Sequence, residues 1–260
     1  MAFENFLKVI EISPTDLCNL NCVFCPRATF YPNRNSHVDL KTIKMFRQRI
    51  DEIGYTGVVS FTGRGEPTLH PDFEKIINVL LKDRKYKLKI NTNGKYLDKY
   101  EHLISQFEIV HLNFYEYDWD GYLDSIKKYG KYPNFNFYFK PPIDMKDDYE
   151  DRYTNRGGSF EQDDIDDNFC DMVYEKLFIN WNGDYKICCQ DWKTDYSFGN
   201  IFTQGFKEYL YENEQLKSFR KMLTEGRRDM KPCSDCDYKS TCKQDKKSKY
   251  IEYHENYSTV

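Results

Sequence analysis

The chain of 260 residues has no surplus of basic charge: 38 Lys and Arg stand against 42 Asp and Glu, giving a formal net charge of −4. That balance argues against nucleic acid as a partner, because gripping a phosphate backbone takes a cationic stripe. There is no apolar run long enough to span a bilayer, so no membrane partner is expected. The opening Met1-Ala2-Phe3-Glu4 has neither a basic start nor an apolar stretch behind it, so no secretory signal is expected. The five histidines, His37, His70, His102, His111 and His254, form no ligand pattern. No internal repeat is present. With 40% hydrophobic and 31% charged residues, the expectation is a soluble, cytoplasmic, globular chain of one large domain or two small ones.

Cysteine is plentiful. Nine are present, an odd number, in two tight groups and without a secretory signal. That pattern reads as metal ligation in a reducing compartment rather than a disulfide framework. The first group is Cys18, Cys22 and Cys25, spaced C-x3-C-x2-C. Clusters that only carry electrons usually take four cysteines. Three thiolates on one loop hold three irons of a [4Fe–4S] cube and leave the fourth iron open to another ligand. The second group is Cys170, Cys188, Cys189, Cys233, Cys236 and Cys242. A C-x2-C pair such as Cys233 and Cys236 is also half of a four-cysteine zinc site, so spacing alone leaves zinc and an iron–sulfur cluster open.

Hydrophobic periodicity places these groups. Apolar or alternating strands are expected over 7–12, 58–61, 88–91, 109–114 and 135–139. Helices are expected over 39–53, 72–81, 96–107 and 118–128, the first burying Leu40, Ile43, Phe46 and Ile50. Five β units in succession predict parallel strands with helical crossovers, an α/β sheet curling toward a partial barrel. Functional groups then gather at the C-terminal strand ends. The cysteine loop, Gly65-Glu66-Pro67 and Thr92-Asn93-Gly94 all fall there. Residues 146–169 read as an acidic linker containing Asn155-Arg156-Gly157-Gly158. Beyond it, Asn182-Gly183 predicts a hairpin, and 206–225 reads as one amphipathic helix with a break near Asn213. The division expected is 1–145 for the barrel, 146–169 for the linker, 170–245 for a second cysteine domain and 246–260 for a polar tail.

The first cysteine loop, with the aromatic Phe24 just before its last cysteine, resembles the signature of the radical S-adenosylmethionine (SAM) superfamily. The second group resembles that superfamily's C-terminal SPASM extension, except that Lys246 stands where a last cysteine is expected. It is therefore similar to the shortened twitch form, a β-hairpin plus helix carrying one auxiliary cluster. The likeness extends to the twitch-type dehydrogenases that oxidise an aminocyclitol alcohol, through the Gly-Glu-Pro, Thr-Asn-Gly and Asn-Arg-Gly-Gly segments and Ser218 to Leu223.

The resemblance implies a partial (β/α) barrel of the radical SAM type, two [4Fe–4S] clusters and SAM, whose cleavage yields a 5′-deoxyadenosyl radical. It implies Cys18, Cys22 and Cys25 as ligands of the first cluster. Cys170, Cys188, Cys233 and Cys236 would hold the second, with Cys242 as the alternative to Cys236 and Cys189 as a spare. It implies SAM contacts from Gly65, Glu66 and Pro67, with Glu66 an acceptor for the SAM ammonium. Asn113 would contact the ribose, and Arg156 the substrate. The activity implied is oxidation of a small polar substrate such as a sugar or aminocyclitol alcohol, fed by an external one-electron reductant such as flavodoxin or ferredoxin. Two rivals within the family are a peptide-modifying enzyme, for which the lead-in 1–6 leaves no room for a peptide-binding domain, and an epimerase with Cys189 or Cys242 as hydrogen donor. A zinc-binding interaction module is the rival from another class.

Overall fold

Val9–Ile12 (β1) runs through the middle of the sheet and delivers the chain straight into the first cysteine loop. Its pleat sends Ile10 and Ile12, both fully buried, into the hydrophobic core, and Glu11 to the opposite face. The computed structural model describes residues 7–31, 33–116, 118–140, 154–160, 167, 169–192, 196–227, 229–239, 247, 248, 250 and 252.

The remaining elements are α1 (Pro26–Thr29), α2 (Leu40–Glu52), β2 (Val58–Phe61), α3 (Phe73–Leu81), β3 (Lys87–Thr92), α4 (Leu97–Ile104), β4 (Ile109–Phe114), α5 (Trp119–Tyr129) and β5 (Phe135–Phe139). After the acidic stretch come α6 (Met172–Glu175), β6 (Lys176–Ile179), β7 (Asp184–Lys186), β8 (Ser197–Asn200), α7 (Phe206–Glu212) and α8 (Glu214–Glu225). One eight-stranded sheet runs β5-β4-β3-β2-β1-β6-β7-β8. The strands from β5 to β6 pair in parallel; β7 and β8 are antiparallel.

The five expected parallel strands are thus present, joined by helices with one apolar face. In α2, Ile43, Phe46 and Ile50 are buried, and the Asp39 side chain accepts from the Thr42 amide at 2.7 Å, a cap contributing about 1 kcal/mol. Leu40, expected on the same face, is exposed because it opens the helix before the apolar stripe turns inward. The expected break in 206–225 is real: Asn213 ends α7, and its side chain accepts from the Leu216 amide at 2.9 Å to start α8.

No sequence signal predicts that β6 pairs in parallel with β1, with Glu11 opposite Phe178. The second cysteine region thereby continues the barrel sheet. Its hairpin turns at Gly183, at φ +87°, as Asn182-Gly183 predicts. Among the described residues no helix is long and apolar enough to cross a membrane. The lead-in 1–6, Cys242, Lys246 and His254 lie outside the described residues.

Candidate active site

The first cysteine loop is held by its neighbours rather than by regular structure. The Cys18 amide donates to Asn33 Oδ1 at 3.1 Å, and Asn33 Nδ2 returns a bond to the Cys18 carbonyl at 3.0 Å. The Cys25 amide closes a turn on the Cys22 carbonyl at 2.9 Å, and Pro26 starts α1 at once, where a proline suits the first helical position. Phe24 is buried with its ring 5.2 Å from Tyr115.

Burial raises the thiol pKa of all three cysteines, Cys22 to about 12, and the neighbouring Cys25 and Cys18 add to the shift on Cys22. All three side chains line one cavity, described below. A metal ligand must be a thiolate. Thiols held this high ionise when a cation offsets the charge, and bound iron supplies that charge. The donor set fits a cluster.

The Gly65-Glu66-Pro67 turn is pinned against this loop. A Cβ on Gly65 would lie 2.4 Å from the Leu17 carbonyl and 2.5 Å from that of Thr15, so only glycine allows the approach. The Glu66 amide donates to the Leu17 carbonyl at 2.8 Å. Glu66 itself is 3% exposed. Its Oε1 accepts from the Thr68 amide and hydroxyl and from the Thr92 hydroxyl; its Oε2 accepts from the Asn93 amide at 2.7 Å. The carboxylate thus ties the ends of β2 and β3 together while lining the cavity described below. Pro67 begins a short 3-10 turn behind the cavity wall.

One cavity of about 350 Å³ is bordered by Cys18, Cys22 and Cys25 and by Cys188 and Cys189 of the second group. Gly65, Asn113 and Arg156 line it too, so residues singled out from five separate stretches of sequence converge. Asn113, at the end of β4, is buried, and its Nδ2 donates to the His111 carbonyl at 3.2 Å. The histidines His37 and His70 pack edge to face at 5.3 Å, and His70 bonds the Val38 carbonyl at 2.7 Å; they support the loop from outside the cavity.

Arg156 reaches the cavity from a strained turn. It has φ +54°, followed by Gly157 at +61° and Gly158 at +82°. A non-glycine residue held there costs of order 1 kcal/mol. The turn persists because it is wedged in: a Cβ on Gly157 would meet the Gln190 carbonyl at 2.6 Å, and one on Gly158 the Asp235 Cβ at 2.6 Å. Asn155 locks it further, its amide donating to Asp237 at 2.8 Å and its side chain to the Asp235 carbonyl at 2.6 Å. The segment read as linker is, over 154–160, built onto the second cysteine region.

Cys170, Cys188, Cys233 and Cys236 line a second, smaller cavity. Burial pushes Cys188 well above its usual range, and Cys189, Cys233, Cys236 and Cys170 add to the shift, so these thiols lie close to Cys188. Burial also raises Cys170 to about 11 and Cys233 to about 12. All eight described cysteines are free thiols. No three potential ligands among the described residues converge on the position of a single ion. Cys189 points elsewhere: its surface is exposed, into the large cavity.

Trp192, Asp191 and Glu11 are among the cavity residues that the sequence reading did not single out. Arg64 lies over the Trp192 ring at 5.3 Å and donates to the Asp191 carbonyl at 2.5 Å, joining the end of β2 to the chain after Cys189. For Glu11 the one signal in the sequence was a charge in the middle of an apolar, buried-type strand, Val9-Ile10-Glu11-Ile12.

Comparison with known proteins agrees with this geometry. The radical SAM superfamily model matches residues 12–162, and the SPASM model, an iron–sulfur cluster-binding domain, matches 170–237. The S-adenosyl-L-methionine-dependent 2-deoxy-scyllo-inosamine dehydrogenase of Niallia circulans is 23% identical over 90% of this chain and 94% of its own length. GTP 3′,8-cyclase of Haemophilus influenzae is 36% identical over 35% of this chain and 28% of its own length. Among solved structures, BtrN in complex with AdoMet and 2-DOIA superposes with a TM-score of 0.75 at 20% identity, covering 91% of this chain and 95% of that one. The anSMEcpe protein with bound AdoMet gives 0.62 at 16% identity, covering 97% and 93%. With its model matched over more than half the sequence, and three cysteines lining one cavity where that family's signature lies, this chain belongs to the radical SAM superfamily.

Proposed function

We propose that this radical SAM enzyme oxidises an alcohol of a small polar substrate, of the sugar or aminocyclitol kind, to a ketone. The observation that carries the reading is the single cavity bordered by both cysteine groups. A substrate held there is within one enclosure with the site that starts the reaction and the site that can receive its electron. The 2-deoxy-scyllo-inosamine dehydrogenase relative, aligned over nearly the whole chain, supplies the substrate class.

When bound, SAM and a [4Fe–4S] cluster supply a radical able to take a hydrogen atom from a C–H bond, and an auxiliary cluster supplies a one-electron acceptor. Cys18, Cys22 and Cys25 would hold the first cluster; Cys170, Cys188, Cys233 and Cys236 would hold the second. The backbone at Gly65 and Glu66, with Asn113, would position SAM. Arg156 would orient the substrate oxygens, which suits the planar donor set of a guanidinium. An external one-electron reductant, such as flavodoxin or ferredoxin, and a reducing cytoplasm complete this reading.

Oxidation and epimerisation are separated by isotope. An oxidation consumes one SAM per product and leaves no solvent deuterium at the product carbon. The second reading, an epimerase, is favoured by Cys189 opening into the cavity as a thiol hydrogen donor. Deuterium from heavy water at the product carbon, lost in a Cys189→Ala variant, would establish the epimerase and reject the dehydrogenase.

Arg156→Lys is expected to lower turnover while SAM binding stays unchanged. Lysine keeps the charge and loses the planar fork. Equilibrium dialysis with SAM and product assays measure the two effects. Unchanged turnover in both Arg156→Lys and Arg156→Ala would remove Arg156 from the substrate site.

A further inference from the structure

We propose that Glu11 is the catalytic base of this enzyme, taking the hydroxyl proton as the substrate alcohol becomes a ketone. The inference rests on the dehydrogenase reading above and adds the group that reading lacks. Removing a hydrogen atom from the carbon of R2CH–OH breaks the C–H bond and leaves a carbon radical bearing an O–H. Formation of the C=O bond then releases one proton and one electron. The auxiliary iron–sulfur cluster that Cys170, Cys188, Cys233 and Cys236 would hold would take up the electron, and the proton needs an acceptor within reach of the substrate oxygen.

Glu11 is the described residue placed to be that acceptor. Arg27, Arg64, Arg156 and Lys186 on the cavity wall are cations and have no proton-accepting role at neutral pH. The Glu66 carboxylate is committed to four hydrogen bonds, and Asp191 lies 3.9 Å from the Lys186 ammonium. Glu11 lines the same cavity and makes no side-chain hydrogen bond or ion pair with another described residue. The pleat of β1 aims it away from the core, in register with Ser60 of β2 on one side and Phe178 of β6 on the other. Its backbone is held on both sides by parallel pairing, so the carboxylate is presented from a rigid strand.

The electrostatics suit the role. Burial raises the Glu11 pKa to about 7, while Lys176 of β6 and Lys89 of β3 pull it back down. The Cys189 thiol also faces it. A base works best when its pKa lies near the working pH. Protonated Glu11 cannot accept, so product formation should rise with pH through an apparent pKa of about 7.

The test compares wild type, Glu11→Gln and Glu11→Asp, reconstituted with iron and sulfide. The probes are 2-deoxy-scyllo-inosamine and the same compound deuterated at the reacting carbon. Glu11→Gln should bind the probe with unchanged affinity by calorimetry and still move deuterium into 5′-deoxyadenosine. Its ketone formation should fall about 100-fold or more, the usual contribution of a general base, and the limb of the pH profile near 7 should vanish. Glu11→Asp should restore part of the rate and the limb. Ketone formation by Glu11→Gln within a few-fold of wild type overturns the assignment. So does a rise in KM at unchanged kcat, which would make Glu11 a binding carboxylate only. If wild type forms no ketone from the probe, the dehydrogenase reading fails and Glu11 loses its role with it; ketone formed equally by wild type and Glu11→Gln overturns the base alone.

Discussion

Replacing Cys18, Cys22 and Cys25 together with alanine is expected to abolish reductive cleavage of SAM and leave about four irons per chain, the content of one cube. The expectation follows from the separation of the two cysteine groups. Cys22 is influenced by Cys25 and Cys18, and Cys188 by Cys170, Cys233, Cys236 and Cys189. The cysteines proposed to hold the second cluster are therefore untouched in the triple variant. Its fold should survive as well, because the loop is anchored by Asn33 and by the Glu66 amide rather than through its thiols. Iron and acid-labile sulfide analysis of anaerobically purified protein, with an assay for 5′-deoxyadenosine, gives the answer. Cleavage of SAM by the triple variant would remove the radical site from this loop.

The opposite pattern is expected from Cys188→Ala or Cys170→Ala. Product formation should fall below detection, while uncoupled 5′-deoxyadenosine formation persists, since that step needs only the first loop. Stability should fall too. Val173, Tyr174, Ile187, Phe219, Leu223 and Met230 form a small core around Cys233, with Cys188 packed against it. A core of that size gains from metal bound to the folded chain, since binding free energy is then folding free energy. A lower thermal midpoint and a loss of about four irons should accompany the lost turnover. A variant that retains a full second cluster and turns over normally would dismiss Cys170 or Cys188 as a ligand.

Much of the site was legible because its signals are local. A C-x3-C-x2-C loop brings three thiols together within eight residues of chain, whatever the rest of the molecule does. Likewise Asn182-Gly183 specifies a turn, and the apolar spacing of 39–53 specifies a helix with a buried face. Gly65-Glu66-Pro67 announced itself as a turn after a strand, yet the demand for glycine there comes from the carbonyls of Thr15 and Leu17, fifty residues earlier in the chain. The sequence suggested an ammonium acceptor at Glu66. The fold surrounds that carboxylate with donors from Thr68, Thr92 and Asn93, a use no spacing encodes.

By itself the sequence determined the family, the two cysteine groups, the parallel α/β order and the positions of the strand ends, because periodicity, turn chemistry and ligand spacing act over a few residues. Only the tertiary structure decided that β6 pairs with β1 and continues the barrel sheet, that Asn155-Arg156-Gly157-Gly158 is wedged between Gln190 and Asp235, and that both cysteine groups border one cavity. The same holds for Glu11 and Cys189. A charge within an apolar strand and a spare thiol have no fixed meaning in one dimension. Strand pairing and burial are contacts between distant residues, and those contacts turn both side chains toward the same enclosed space.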